Sequence, residues 1–263
     1  MRKKSSHATR YMTSAVLSDA LLHEAYKMPT GQMATKRAAL LCSALSGMDG
    51  ERLPLCYGDE YCGLLSCPRC RWREQRVFML NMLPVVRASG GCIAWSTITI
   101  IPEFGVTEVG ALPKGGLRGF RDQIRAAVRK VNPNARAAMC VDINVERTVG
   151  KRERWQWHVH GIIAKLRADE LSQLCQRFSW RKKDDDNGQC YRPVMTADIY
   201  DLVGHLAYVS KPQFRQREHR PNENGDLKFE KRIITIQQEL HFVKVLSSFK
   251  VKQRLFNLGI ETA

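Results

Sequence analysis

No stretch of this chain is long and apolar enough to cross a membrane, so a spanning protein is not expected. A secretory leader is not expected either. The Met1-Arg2-Lys3-Lys4 start carries the right charge, but Thr9, Arg10, Ser14 and Asp19 interrupt the next stretch before an apolar run can build. The expected location is the cytoplasm. There is no Walker-type phosphate loop, hence no sign of an ATP-driven motor, and there is no internal repeat. Acidic residues are scarce: 26 Asp and Glu against 42 Lys and Arg leave a formal net charge of +16. That balance favours a polyanionic partner, although a ribosomal-type or merely soluble basic protein satisfies charge alone. An even cysteine count is also missing. Nine cysteines, four of them tightly clustered, suit metal ligation better than a disulfide framework in a large non-secreted chain.

The residues present are enough for a core. Apolar residues make up 44% of the 263, which argues against wholesale disorder and fits one large domain or a domain with an appended module. Residues 1–50 read as helical around a Pro29-Thr30-Gly31 turn, and residues 51–90 form a cysteine segment. Residues 91–215 carry the strongest strand and helix patterns. Residues 216–263 read as a polar, flexible basic stretch followed by a mostly helical tail. The expected class is α+β, a central antiparallel sheet flanked by helices.

Within 91–215, Cys92–Ile101 is rich in β-branched residues and ends at Pro102, which marks a strand. Leu117, Phe120, Ile124, Val128 and Val131 share one face of a helix, beside a stripe of Arg118, Arg121, Arg125 and Arg129. Such a stripe is either a solvated face or a contact for a nucleic-acid backbone. Ala138–Arg147 alternates Val141, Ile143 and Val145 against Asp142, Asn144 and Glu146. With Trp155–Lys165 it suggests an antiparallel hairpin.

The chemistry concentrates on that hairpin. His158 and His160, one residue apart on a strand, point to the same face. Two imidazoles and a carboxylate with open positions make a usable divalent-metal site, Mg²⁺ or Mn²⁺. Glu146 is the first choice for the carboxylate and Asp142 the second, because register is not legible locally. The alternative is a pair of ordinary half-buried strand histidines. Tyr208 lies almost opposite the Ile199, Leu202, Val203 and Leu206 stripe of its helix, among Asp201, Gly204, His205 and Lys211. It reads as a nucleophile whose phenolate Lys211 would stabilise, or else as an exposed tyrosine with no task. Cys67-Pro-Arg-Cys70, with Cys56 and Cys62 upstream, reads as a structural Zn²⁺ knuckle or as buried free thiols. Arg69 and Arg71 beside it would suit phosphate contacts, and Trp72 a base or the core.

Four segments, in order, resemble the HUH endonuclease superfamily, and specifically the initiators of rolling-circle plasmid and phage replication. CIAWSTITIIP resembles the first motif, WQWHVHGIIA the His-hydrophobe-His motif, and HLAYVSKP the Tyr-x-x-Lys motif of single-tyrosine members. The cysteine knuckle resembles a segment upstream in some plasmid initiators. The likeness runs from Cys56 to Pro212. It implies an RRM-like sheet, nicking of one DNA strand at an origin hairpin or single-stranded repeat, a 5′-phosphotyrosine on Tyr208 and a free 3′-hydroxyl. A host polymerase and a host helicase would be its partners. Tyr200, eight residues earlier, does not have the spacing of two-tyrosine members. Transposases and relaxases share this chemistry. From other classes, a zinc-bearing DNA-binding regulator fits charge and cysteines, and a cupin-like oxygenase fits the histidines alone.

Overall fold

Alternation decides the centre of the fold. The computed structural model describes residues 62–89, 93–148, 152–178, 193–211, 214–221 and 227–260. The helices expected over 1–50, Cys56, Pro212 and the charged segment around 182–186 lie outside these residues. Strand β3 (Ala137–Thr148) pairs antiparallel with β4 (Arg154–Ala164), the hairpin that the alternating pattern implies. On the far side of β4 lies β1 (Trp95–Ile100), and β5 (Val194–Asp198) edges β1. A short β2 (Val106–Glu108) joins the beginning of β4.

Two expectations are corrected here. The sheet is mixed, because β6 (Arg215–Pro221) runs parallel to β3. The described residues of 216–263 include three strands, where a flexible stretch and a mostly helical tail are expected. Strands β6 and β7 (Leu227–Ile233) form an antiparallel ladder, and Leu255–Leu258 is a strand, β8, on the first part of β3. Among the described residues of that tail, Ile236–Leu246 alone is α-helical. The Arg215-Gln-Arg-Glu-His219 run has no apolar alternation to announce a strand. The exposed edge of β3 supplies its hydrogen bonds, a tertiary override of propensity. The order is β5-β1-β4-β3-β6-β7, with β2 beside β4 and β8 beside β3.

Each face of the sheet has its own apolar cover. On the side of Val141, Ile143, Trp157 and Val159 lies α2 (Gly116–Val131), buried through Leu117, Phe120, Ile124 and Val128 as its periodicity expects. With it pack α3 (Ala168–Arg177) and α5 (Ile236–Leu246), whose Phe242 stacks on Trp155 at 4.3 Å. Thr235 caps α5 by accepting from the Gln238 N–H at 3.2 Å. The opposite face, beside Ala138, Cys140 and Ile162, is covered by α1 (Pro68–Ala88) and α4 (Leu202–Val209). Phe78, Met79 and Met82 of α1 meet Leu206, Ala207 and Val209 of α4 there, and the Gln75 amide donates to the Ala207 carbonyl at 2.7 Å. Beyond that apolar patch, the same sheet face turns polar at Asp142 and His158. No helix among the described residues is long and apolar enough to cross a membrane.

Candidate metal centre and its tyrosine

The register of the hairpin sets Asp142 directly across from His158 and Cys140 across from His160. All three polar side chains point to the α1/α4 face. Asp142 Oδ2 lies 3.4 Å from His158 Nε2 and 3.7 Å from His160 Nε2, and the two Nε2 atoms are 3.0 Å apart. The group is buried, with His158 at 0% exposure and Asp142 at 1%. The Gln156 carbonyl, 3.0 Å from His158 Nδ1, can only accept, so Nδ1 carries the proton and Nε2 presents its lone pair to the centre. Thr99 Oγ1, 2.9 Å from His160 Nδ1, orients the second ring. Burial holds both imidazoles below the usual histidine range, and the Lys211 ammonium presses His160 lower still. Burial acts to raise the Asp142 pKa, but Lys211 and the two histidines more than offset it and leave the carboxyl well below the usual range. The centre therefore holds neutral imidazoles and a carboxylate, the forms that ligate a metal.

The register decides against Glu146. It sits opposite Arg154, four residues along β3 from Asp142, where it accepts from His219 Nε2 at 2.8 Å and lies 3.7 Å from Arg217. Asp142, the second choice, is the carboxylate at the centre.

Helix α4 brings the tyrosine. Asp201 caps it by accepting from the Gly204 N–H at 3.0 Å, and its apolar side packs on α1. This directs Tyr208 toward the sheet, where its ring meets that of His160 edge-on, with centroids 4.8 Å apart. Lys211, just past the helix, reaches the centre itself. Its Nζ is 2.5 Å from Asp142 Oδ2, 3.3 Å from His160 Nε2 and 5.1 Å from the Tyr208 ring centroid. Buried Arg254 fixes the chain at that point by donating to the Ser210 carbonyl at 2.8 Å and the Lys211 carbonyl at 3.1 Å. Thr97, Thr99, His160, His205, Tyr200 and Tyr208 line a cleft of about 260 Å³ that reaches the centre at His160. Thr99 and Arg254 are not singled out by the sequence. The Thr97/Thr99 alternation opposite the His strand carried a signal for the first; no local pattern marks the second.

The expected thiol cluster is present in part. Cys62, Cys67 and Cys70 place their sulfurs within 4.8 Å of one another, and Cys56 lies outside the described residues. Cys62 and Cys70 Sγ are 3.5 Å apart, and the Gly63 N–H donates to Cys70 Sγ at 3.1 Å. The hydrogen bond that the Cys62 thiol gives to Cys67, with burial, pushes it up to about 12. Cys140 is a plain core thiol, pushed up to about 11 by burial.

The arginines divide. Arg71 does not face DNA: it is buried, paired with Glu239 at 2.5 Å, bonded to the Leu65 and Ser66 carbonyls and stacked on Phe214. Arg121 donates to the Gln253 carbonyl at 2.5 Å, clasping α2 to the C-terminal segment. Arg125 pairs with Asp122 at 2.7 Å. Arg118 stays 88% exposed, and Arg69 is half-buried beside Cys70.

Both donor groups fit a cation. A spacing of about 3 Å between nitrogens is what two adjacent ligands, each about 2.1 Å from one octahedral ion, require. Asp142 Oδ1 is buried with no hydrogen-bond partner, an acceptor still to be satisfied. Three crowded sulfurs in one knuckle suit a thiophilic ion such as zinc. Comparison with family models, curated proteins and solved structures finds no match for this chain.

Proposed function

We propose that the protein is a metal-dependent DNA-strand nuclease with a tyrosine nucleophile, which nicks an origin to start rolling-circle replication. One observation carries the reading: Tyr208 packs edge-to-face with His160, one of the Asp142–His158–His160 donors, and both line the same cleft. A bound Mg²⁺ or Mn²⁺ would supply Lewis-acid polarisation of a non-bridging phosphate oxygen.

The chain's own groups do the rest. Tyr208 oxygen attacks phosphorus, the P–O3′ bond breaks, and the departing 3′-oxygen takes a proton from water. A 5′-phosphotyrosine and a 3′-hydroxyl result. His205 Nδ1 donates to the Asp201 carbonyl at 2.6 Å, so its Nε2 remains an acceptor on the same cleft and is assigned the Tyr208 proton. Tyr200, 90% exposed and edge-on to His205 at 4.8 Å, offers a face on which an unpaired base can stack. The net charge of +16 holds the polyanion. A transposase or relaxase would use the same steps and differs in the fate of the free 3′-end. A non-catalytic zinc-bearing regulator leaves the centre and Tyr208 without a task.

The test is a supercoiled plasmid carrying the DNA that flanks the gene, incubated with protein and Mn²⁺. Nicking and a covalent protein–DNA adduct are expected, both lost in Tyr208→Phe while DNA binding persists. Adduct formation by Tyr208→Phe at the wild-type rate would refute the assignment.

A further inference from the structure

A lysine ammonium contacts two of the three donor atoms that a divalent ion would use. We propose that Lys211 is the resident cation of this centre: it neutralises Asp142 while no divalent ion is bound, and it is exchanged toward Tyr208 when one enters. The inference rests on the metal reading above and extends it.

Charge balance is the first argument. A carboxylate at 1% exposure needs a positive partner, since an unpaired buried charge is strongly destabilising. The neutral imidazoles do not provide one. Lys211 Nζ does, at 2.5 Å from Oδ2, and it also touches His160 Nε2 at 3.3 Å. A metal bound to those atoms and an ammonium in the same contact would repel each other, so the two occupy the centre alternately.

The second argument is where the lysine can go. Arg254 holds the Ser210 and Lys211 carbonyls, which fixes the backbone, so the exchange is made by the four-carbon stem alone. Nζ already lies 5.1 Å from the Tyr208 ring centroid. Exchange moves a cation from the carboxylate to the nucleophile. It also leaves the centre with a net charge of +1 and the lysine's +1 beside Tyr208, where the Asp142–Lys211 pair was neutral, which favours a phosphate in the cleft. Metal and DNA should then tighten each other's binding reciprocally.

Mn²⁺ binding to the full chain, without DNA, tests this by electron paramagnetic resonance of the free ion. Lys211→Met should bind Mn²⁺ about tenfold more tightly than wild type, within the usual range of a coupling of this kind. Equal or weaker binding by a folded Lys211→Met protein overturns the exchange and leaves the metal centre standing. Lack of Mn²⁺ binding by both proteins overturns the exchange and the metal reading together. Because Lys211→Met leaves Asp142 without its partner and can impair folding, a second measurement uses the wild type. Reductive methylation mapped by mass spectrometry should find Lys211 protected in chelator and several-fold more reactive in saturating Mn²⁺. Lys165, whose side chain is 58% exposed, serves as the constant reference. Unchanged protection of Lys211 in saturating Mn²⁺ overturns the proposal.

Discussion

Asp142 faces His158 across the β3–β4 ladder, its Oδ2 3.4 Å from His158 Nε2. The pairing is enforced by ten consecutive cross-strand partners from Ala137–Ile163 to Glu146–Arg154, and a slip of one residue would turn Asp142 to the apolar face. The carboxylate is thus held in place by the whole hairpin rather than by its neighbours alone.

That relationship separates two carboxylates four residues apart on the same strand. Asp142→Asn should reduce Mn²⁺ affinity by about tenfold or more, while Glu146→Gln should leave it within about twofold. Calorimetric titration of both variants checks this. A larger loss in Glu146→Gln would restore Glu146 as the ligand.

Acid should destabilise the metal-free protein in two steps. His158 and His160 are held below their ordinary value of 6.5 by burial, so below that value the unfolded chain binds more protons than the folded one. Stability therefore falls as pH drops through about 6.5 toward the folded pKa. Asp142, held well below 3.8, adds its loss only at still lower pH. Melting temperatures in chelator should decline from about pH 7.5 to pH 5, and less steeply in His160→Gln. A flat profile would contradict the buried neutral imidazoles.

The thiol knuckle should carry close to one zinc per chain. Cys62, pushed up to about 12, keeps its proton at neutral pH unless a cation displaces it. Cys67→Ser should lower zinc content and the melting temperature together, because Leu65 and Gly63 bond to Phe249 and Val251 and tie the knuckle to the C-terminal segment. Elemental analysis that finds no zinc in protein prepared without chelator would remove this site.

Arg71 and Arg118 should behave oppositely. Arg71→Ala breaks a fully buried pair with Glu239 and is expected to cost about 3–5 kcal/mol in urea unfolding. Arg118→Ala should leave stability unchanged and, if α2 meets DNA, lower the slope of log affinity against log salt by about 1. A destabilised Arg118→Ala, or a native-like Arg71→Ala, would reverse these roles.

Much of this was legible locally. Strand alternation in Ala138–Arg147 and Trp155–Lys165 and the 3.6-residue period of Leu117–Val131 are properties of short segments, so the hairpin and α2 could be read from the sequence. The His158/His160 pair follows from the same period of two. What the chain alone left open depends on partners distant in sequence. Register chose Asp142 over Glu146, because a ladder is a relation between two strands. Arg71 looked like a phosphate ligand beside a knuckle until Glu239, 168 residues away, took its charge. Lys211 looked like a helper of Tyr208, and only the docking of α4 on the sheet and the grip of Arg254, 43 residues on, put its ammonium on Asp142. Side-chain direction is a local property and can be read from residue order; which charge meets which is settled only when the layers pack.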